Sequence, residues 1–237
     1  MKKTTEIGLT LGMVAVAAML VVGRQGKVAP RLAPGLTASF ASGQPLMASD
    51  LPRADTLAEW LRLGHHLGPD QPMVRIIEFG NFTCGFCLEF AAAIDTVQRK
   101  YPGLVGVTWL HFVFDSQLVR PNATTFLANA SECIAHEGEF EAFYRALMVE
   151  GKSFASRRGV VQWAGNHGGV DTHTLDACLE VQGGMPRVMA HARYGIASGT
   201  YATPTWDLDK ERFVGAVRTH VLDSLVRAEM RRANEAG

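Results

Sequence analysis

Two cysteines separated by two residues stand where a predicted strand is followed by a predicted helix. Residues 73–79 alternate between the two faces of a strand. From Cys84 onward, apolar side chains recur every three or four residues as far as Val97, which predicts a helix with one apolar face. Thr83 is predicted to cap this helix. Because positions i and i+3 of a helix share a face, the sulfurs of Cys84 and Cys87 can meet.

The position of Cys84 at a helix start predicts redox chemistry. The N-terminal N–H groups and the helix dipole favour a thiolate there, so Cys84 is the predicted attacking sulfur and Cys87 the resolving one. Zinc binding would need a second close pair of ligands, and Cys133 and Cys178 are far apart in the sequence. A purely structural bridge across so tight a loop would stabilise little. We therefore predict a redox-active pair and no metal.

Two further residues favour the redox interpretation. Glu78 lies six residues before Cys84 on an otherwise apolar strand face. A buried carboxyl tends to keep its proton, and it could exchange that proton with Cys87; the alternative is a strand-end glutamate that faces water. Far downstream, Pro204 stands where a strand should begin, a place typical of a strand start or a special turn.

The remaining pattern predicts an α/β domain. Residues 105–114 form a nearly continuous apolar run, which predicts a strand buried on both faces. Helical character extends from about 122 to 198, two short strands begin at 203 and 212, and a final helix follows. Of the 237 residues, 47% are hydrophobic and 19% are charged, which excludes a disordered chain. Lys+Arg and Asp+Glu both total 23, so charge gives no reason to expect a nucleic-acid partner.

The N-terminus predicts a membrane segment. Residues 7–23 are uncharged and follow two lysines, so residues 1–23 are predicted to be an uncleaved anchor, with a cleaved signal segment as the alternative. Residues 24–54 are rich in Pro, Ala, Gly and Ser and resemble a tether. A short helix is expected over 54–63, and the folded domain is expected to occupy residues 55–237.

Together these motifs resemble the DsbA-like branch of the thioredoxin superfamily. The resemblance is carried by residues 74–79, the Cys84-Gly85-Phe86-Cys87 motif and the Ala202–Thr205 loop, and it covers roughly residues 56–230. It implies a thioredoxin-like fold in which the stretch of about 122–198 is an inserted helical domain. It also aligns Glu78 with the buried acid of that family.

The resemblance further implies roles for the site residues. The Thr203–Pro204 bond is expected to be cis and to lie beside the cysteines, and Thr203 is expected to contact substrate backbone. Substrate binding is assigned to these two residues and to Gly85 and Phe86. The best-known oxidases of the family have a histidine between the cysteines. Here no titrating side chain lies between them, which predicts a weaker oxidant.

The implied function is that of a thiol:disulfide oxidoreductase. Its expected substrates are cysteine-containing envelope proteins, its expected partner is a protein that reoxidises or reduces the cysteine pair, and no organic cofactor is implied. The predicted location is a bacterial inner membrane, with the catalytic domain in the periplasm. Two alternatives remain: a disulfide reductase or isomerase, and a non-catalytic assembly factor that uses the fold as a binding module.

Cys133 and Cys178 are predicted to form a structural disulfide within the helical insertion. Both lie in apolar helical contexts, so two separate buried thiols are the alternative. Unpaired thiols beside a disulfide oxidoreductase could mispair with Cys84, and pairing removes that risk. The bridge would also close a long loop of the unfolded chain.

Overall fold

The computed structural model describes residues 64–114, 117 and 122–236. The strands and helices follow one another in this order: β1 (His65–Leu67), β2 (Val74–Gly80), α1 (Gly85–Lys100), β3 (Val105–His111), α2 (Ala123–Ala135), α3 (Phe140–Met148), α4 (Arg157–His167), α5 (Thr172–Glu180), α6 (Met185–Ala197), β4 (Thr205–Leu208), β5 (Glu211–Val214) and α7 (Thr219–Ala236).

The strands form one mixed sheet in the order β1-β3-β2-β4-β5. Strands β2 and β3 are parallel and are joined through α1, whereas every other neighbouring pair is antiparallel. The two central strands are almost entirely buried, which explains their nearly continuous apolar sequences. Glu78 brings a fully buried carboxyl into this apolar pattern, on the middle strand of the sheet.

Helices cover both faces of the sheet. On one face, Ile76 and Val107 belong to the main core together with apolar residues of α1 and α7. On the other face, Phe79 and Phe112 lie in a separate small cluster. Gly195 of α6 packs against the Phe112 ring so closely that a Cβ at that position would overlap it. The sheet is therefore enclosed, and the start of α1 stands at the end of a rigid central strand.

The helices α2 to α6 lie between β3 and β4 in the sequence, as the inserted helical stretch predicts. Asn122 caps α2 with a reciprocal capping box that also involves Thr125. Cys133 of α2 and Cys178 of α5 form a disulfide, so a covalent bond joins two helices of the insertion.

Several predicted boundaries change in the structure. The second predicted strand ends at His111 rather than at residue 114, and the fourth covers Glu211–Val214. Thr83 does not cap α1. The N-cap is Cys84, and the Thr83 hydroxyl instead hydrogen-bonds to Asn81 and Thr124.

The predicted location in the inner membrane with a periplasmic domain is wrong. Within the described residues, no helix has the length and apolar character needed to cross a bilayer. The predicted anchor over residues 7–23, the tether over 24–54 and the short helix over 54–63 lie outside the described residues.

Candidate active site

The two cysteines of the C-x-x-C motif have different environments. Cys84 is the N-cap residue of α1 and is partly exposed, whereas Cys87 lies one turn into the helix and is 0% exposed. Both sulfurs are free thiols in this structure. The sulfur that solvent and a substrate can reach is therefore that of Cys84, whereas Cys87 is closed off from solvent.

The loop before β4 approaches the sulfur of Cys84. The Thr203–Pro204 peptide bond is cis, the geometry expected from the sequence. The thiol of Cys84 donates a hydrogen bond of 3.3 Å to the carbonyl oxygen of Thr203. Pro204 itself is buried, and the Gly215 N–H donates to its carbonyl oxygen. Residues 119 positions apart are thus brought together at the predicted redox pair.

Local interactions set the acidity of the Cys84 thiol. Burial raises its pKa, but hydrogen bonding with the Thr203 side chain and with the backbone of Cys87 and Phe86 lowers the pKa by more. The pKa of Cys84 is therefore below the ordinary cysteine value. A lower pKa enriches the thiolate, which is the nucleophile and leaving group of disulfide exchange.

Cys87 has the opposite electrostatic environment. Burial, followed by the nearby charge of Glu78, raises the pKa of its thiol far above the ordinary value. Burial raises the pKa of Glu78 well above that of a free glutamate, and Cys84 adds to the shift. Glu78 is 0% exposed, so the structure places this carboxyl in the protein interior and close to the buried thiol. Glu78 and Cys87 can therefore exchange a proton, so that one of the two groups stays protonated when the other ionises.

Exposed positions follow Cys84 and precede the cis-proline loop in the sequence. Phe86 is 62% exposed, and Gly85 is open enough that a Cβ there would meet nothing within 4 Å. Tyr201, which the sequence analysis did not single out, precedes the cis-proline loop and is 73% exposed. Exposed aromatic groups near a nucleophile are typical of a surface that binds unfolded or flexible peptide segments.

Asn81 orders the turn that leads into α1, and the sequence analysis missed it. Its side-chain oxygen accepts hydrogen bonds from the backbone N–H and the hydroxyl of Thr83, and its carbonyl oxygen accepts from the Cys84 N–H. The Asn81 backbone also hydrogen-bonds to Cys87 and in part offsets the rise of that thiol's pKa. An asparagine in a turn before a helix is a local signal that could have been used.

A second buried polar cluster lies in the same domain. Ligand-type atoms of His65, His111 and Glu132 all lie within 4.8 Å of one another. Glu132 Oε1 is 2.8 Å from His65 Nε2 and 3.0 Å from His111 Nε2, and His191 Nδ1 is 3.8 Å away. The sequence analysis above did not connect these four residues, which lie far apart in the chain.

The hydrogen bonds of this cluster favour a proton-bearing network over a metal site. The Trp109 indole N–H donates to His111 Nδ1 at 3.4 Å. A neutral His111 therefore carries its proton on Nε2, the nitrogen that faces Glu132, and that nitrogen has no lone pair left for a metal. Metal-bound histidines usually donate their second ring N–H to an acceptor, and an indole N–H is a donor.

Comparison with known proteins identifies the family. The model described as Thioredoxin (Thioredoxin_4) matches residues 62–228. The chain belongs to this family. A crystal structure of a thioredoxin-like oxidoreductase from Silicibacter pomeroyi DSS-3 is 22% identical, covers 74% of this chain and 99% of that one, and has a TM-score of 0.61. Oxidised BdbD from Bacillus subtilis is 18% identical, covers 72% of this chain and 95% of that one, and has a TM-score of 0.59.

A third structure is that of α-DsbA2, a thiol-disulfide exchange protein from Wolbachia pipientis. It is 16% identical, covers 72% of this chain and 90% of that one, and has a TM-score of 0.59. At these identities the structures show the fold, and the fold is the DsbA-like thioredoxin fold that the motifs predicted.

Curated relatives of this Thioredoxin-family chain are longer proteins. The Na(+)/H(+) antiporter NhaA of Herminiimonas arsenicoxydans is 22% identical over 169 residues, which are 71% of this chain and 26% of the antiporter. NhaA 1 of Mycolicibacterium gilvum is 27% identical over 155 residues, which are 62% of this chain and 23% of that protein. The chain thus spans about a quarter of the length of the curated relatives it matches.

Proposed function

We propose that this chain is a thiol–disulfide oxidoreductase that exchanges disulfides with cysteine-containing proteins through Cys84 and Cys87. The observation that carries the proposal is the position of Cys84: a partly exposed helix N-cap whose thiol bonds to the Thr203 carbonyl oxygen at 3.3 Å. A thiol of lowered pKa at the end of a rigid strand is suited to nucleophilic exchange. The thiol-disulfide exchange protein with the same fold supports the same assignment.

In the oxidising direction the reaction begins with a Cys84–Cys87 disulfide. A substrate thiolate attacks the Cys84 sulfur, a new sulfur–sulfur bond forms, and Cys87 leaves as a thiolate. Glu78 gives its proton to that thiolate, since the buried site disfavours charge on the leaving sulfur. A second substrate thiolate then attacks the substrate sulfur of the mixed disulfide, and Cys84 leaves. The substrate loses two electrons, and the enzyme disulfide gains them and becomes a dithiol.

When the enzyme begins as a dithiol, Cys84, Cys87 and Glu78 reduce a substrate disulfide by the reverse steps. The Cys84 thiolate attacks a substrate disulfide, and Cys87 passes its proton to Glu78 and attacks Cys84, which releases the reduced substrate. A redox partner that restores the starting state of the pair completes either cycle. The proposed partners are accordingly a protein substrate with cysteines and a second thiol or disulfide protein.

An equilibrium with glutathione tests the proposal. We expect the reduced and oxidised forms of the full chain to interconvert in a single two-electron transition, followed by the number of alkylated thiols. Cys84→Ser should abolish both this transition and the oxidation of a reduced, unfolded ribonuclease. Cys133→Ala with Cys178→Ala is the matched control that leaves the active pair intact. A native chain that showed neither the transition nor the oxidation of ribonuclease would instead favour a binding module.

A further inference from the structure

Tyr144 of α3 has a buried hydroxyl group with no hydrogen-bond partner among the described residues. The side chain is 4% exposed, and its ring lies edge-on to Trp109 with the two centroids 5.1 Å apart. A buried tyrosine normally directs its O–H to an acceptor, because an unpaired polar group in the interior is costly. A buried hydroxyl without a partner, such as that of Tyr144, is rare in native proteins and often belongs to a functional group or to a water site.

The carboxyl group of Glu78 is unsatisfied in the same region. Neither of its oxygens has a hydrogen-bond partner among the described residues, and the side chain is completely buried. In the sheet, Glu78 pairs with Trp109 of β3, so the two side chains lie side by side on one face. Tyr144 packs against that tryptophan and is electrostatically coupled to Glu78 and to Cys87. The three unsatisfied oxygens thus flank Trp109, and the charge of Glu78 reaches the buried thiol of Cys87; we refer to these groups as the cluster.

We propose that Tyr144 is a positioning residue for the proton that Glu78 exchanges with Cys87, with one buried water bridging its phenol O–H, the Glu78 carboxyl and the Cys87 sulfur. The inference rests on the function proposed above and adds a residue of the helical insertion to that chemistry. A buried water needs two to four polar partners, and this cluster offers three.

The bridge acts when Cys87 attacks the mixed disulfide. The thiol proton of Cys87 passes through the water to the Glu78 carboxylate, the Cys87–Cys84 bond forms, and the bond from Cys84 to the substrate sulfur breaks. The substrate leaves as a thiolate, so electrons and protons balance without another reactant. The O–H of Tyr144 donates to the bridging water, which donates in turn to the carboxylate and stabilises it in the form that accepts the proton.

Among the described residues, four other ionisable groups act on Tyr144 and one further group acts on Glu78. Burial raises the pKa of the Tyr144 phenol, and the charges of Glu78 and Cys87 raise it further, so the phenol stays protonated and can donate its hydrogen. Cys84 is the other group whose charge reaches Glu78. Arg145 and Asp95 also act on the phenol, but they pair with each other at 3.0 Å. The titration of Glu78 therefore dominates the pH dependence of this step.

A reagent that reports each thiol separately tests the proposal. Reduced protein treated with 5,5′-dithiobis(2-nitrobenzoate) should release one thionitrobenzoate when Cys84 reacts and a second when Cys87 displaces the mixed disulfide. For Tyr144→Phe we expect the second phase to slow about tenfold at pH 7, because the carboxylate loses its donor. The inflection in the pH–rate profile of this second phase should move upward by about one pH unit, because loss of the phenol donor raises the pKa of Glu78.

Controls separate the possible outcomes. Tyr101→Phe is the matched control, because it also removes a phenol hydrogen bond, the one that Tyr101 donates to Asp223. It should leave the rate of the second phase unchanged. If Tyr144→Phe is poorly folded, 3,5-difluorotyrosine at position 144 keeps the ring and should move the inflection downward, because a more acidic phenol is a stronger donor. An unchanged profile in Tyr144→Phe would overturn the role of Tyr144. Failure of the native chain to release the second thionitrobenzoate would instead overturn the proposed function.

Discussion

Glu78 pairs with Trp109 across β2 and β3 and with Trp206 across β2 and β4, so an acid lies between two fully buried indoles. Side chains that pair across adjacent strands share a face of the sheet. The carboxyl is therefore shielded from water on both sides, and among the described residues neither of its oxygens has a hydrogen-bond partner. This arrangement explains why the pKa of Glu78 is raised mainly by burial.

Glu78→Gln is expected to stabilise the reduced protein at alkaline pH. A raised folded-state pKa means that the unfolded chain ionises first, so wild-type stability is lost as pH rises from the ordinary glutamate value through the folded pKa. Each unit of difference between the folded-state and unfolded-state pKa changes the free energy of unfolding by about 1.4 kcal/mol. Urea unfolding at pH 8 should show the variant to be more stable by about 1 kcal/mol or more, and the advantage should vanish near pH 4. A constant advantage at both pH values would contradict this account of the burial of Glu78.

Cys84 should be alkylated far faster than Cys87 in the reduced protein. Exposure and a lowered pKa favour thiolate at Cys84, while Cys87 is fully buried and its pKa is raised. With iodoacetamide near pH 7, peptide mass spectrometry should show a rate difference of about two orders of magnitude or more. The same experiment in 6 M guanidinium is the control, because unfolding should make the two cysteines react alike. Preferential labelling of Cys87 in the folded protein would reverse the assignment.

The redox potential should be more reducing than that of DsbA, which is about −120 mV. The residues between the cysteines, Gly85 and Phe86, carry no charge that could stabilise the Cys84 thiolate in the reduced form. Phe86→His places a titrating group at an exposed position and should raise the potential by about 30 mV or more, a tenfold change in the two-electron equilibrium. Phe86→Gln, which is polar but uncharged, should move it much less. Equal shifts in both variants would show that loss of the phenyl ring, not charge, sets the potential.

The local parts of this structure could be predicted from the sequence. The strand, the C-x-x-C pair and the amphipathic helix follow from short-range periodicity, and the buried position of Glu78 follows from the strand face it shares. The N-cap of α1 was assigned to Thr83, and this was wrong because the Thr83 side chain hydrogen-bonds to Asn81 instead. The side-chain oxygen of Asn81 accepts hydrogen bonds from the hydroxyl and the N–H of Thr83. Cys84 is therefore the N-cap residue.

The non-local polar clusters could not be predicted. His65 and Glu132 are 67 residues apart, and His111 and His191 are 80 residues apart, so no spacing rule relates them. Tyr144 lies on a helix whose apolar face is an ordinary core pattern, and nothing in that pattern distinguishes it from its neighbours. Only the packing of the insertion on the sheet brings these groups together.

The Cys133–Cys178 disulfide should stabilise the helical insertion. The bridge joins α2 and α5 across a sequence separation of 45, and the chain-entropy model predicts a contribution of about 2–4 kcal/mol from the constrained unfolded state. The double variant Cys133→Ala, Cys178→Ala should lose this amount in guanidinium unfolding. The comparison is made in a Cys84→Ser, Cys87→Ser background, which prevents thiol exchange. In that background, thiol counting on the unfolded parent should find no free thiols, and two would contradict the bridge.

The histidine–glutamate network should make the fold sensitive to acid. Burial lowers the pKa of His65, so the unfolded chain takes up its proton first and stability begins to fall as pH drops below about 6.5. Burial raises the pKa of Glu132, but hydrogen bonds from His111 and His65 lower it by more. Its contribution is therefore present above the ordinary glutamate pKa and is lost as pH falls through the folded value.

Glu132→Gln tests this network directly. The substitution keeps an acceptor but removes the charge that strengthens the bonds from His65 and His111, and we expect a loss of about 1.5–3 kcal/mol at pH 7. The difference from wild type should shrink below pH 4.5, where the unfolded wild-type glutamate also becomes protonated. Glu150→Gln, which removes an exposed carboxylate paired with Lys152, should leave stability close to that of the wild type. If Glu132→Gln costs no more than this surface control, then the three histidines gain nothing from the buried charge, and the network serves only to fill space between β1, β3 and the insertion.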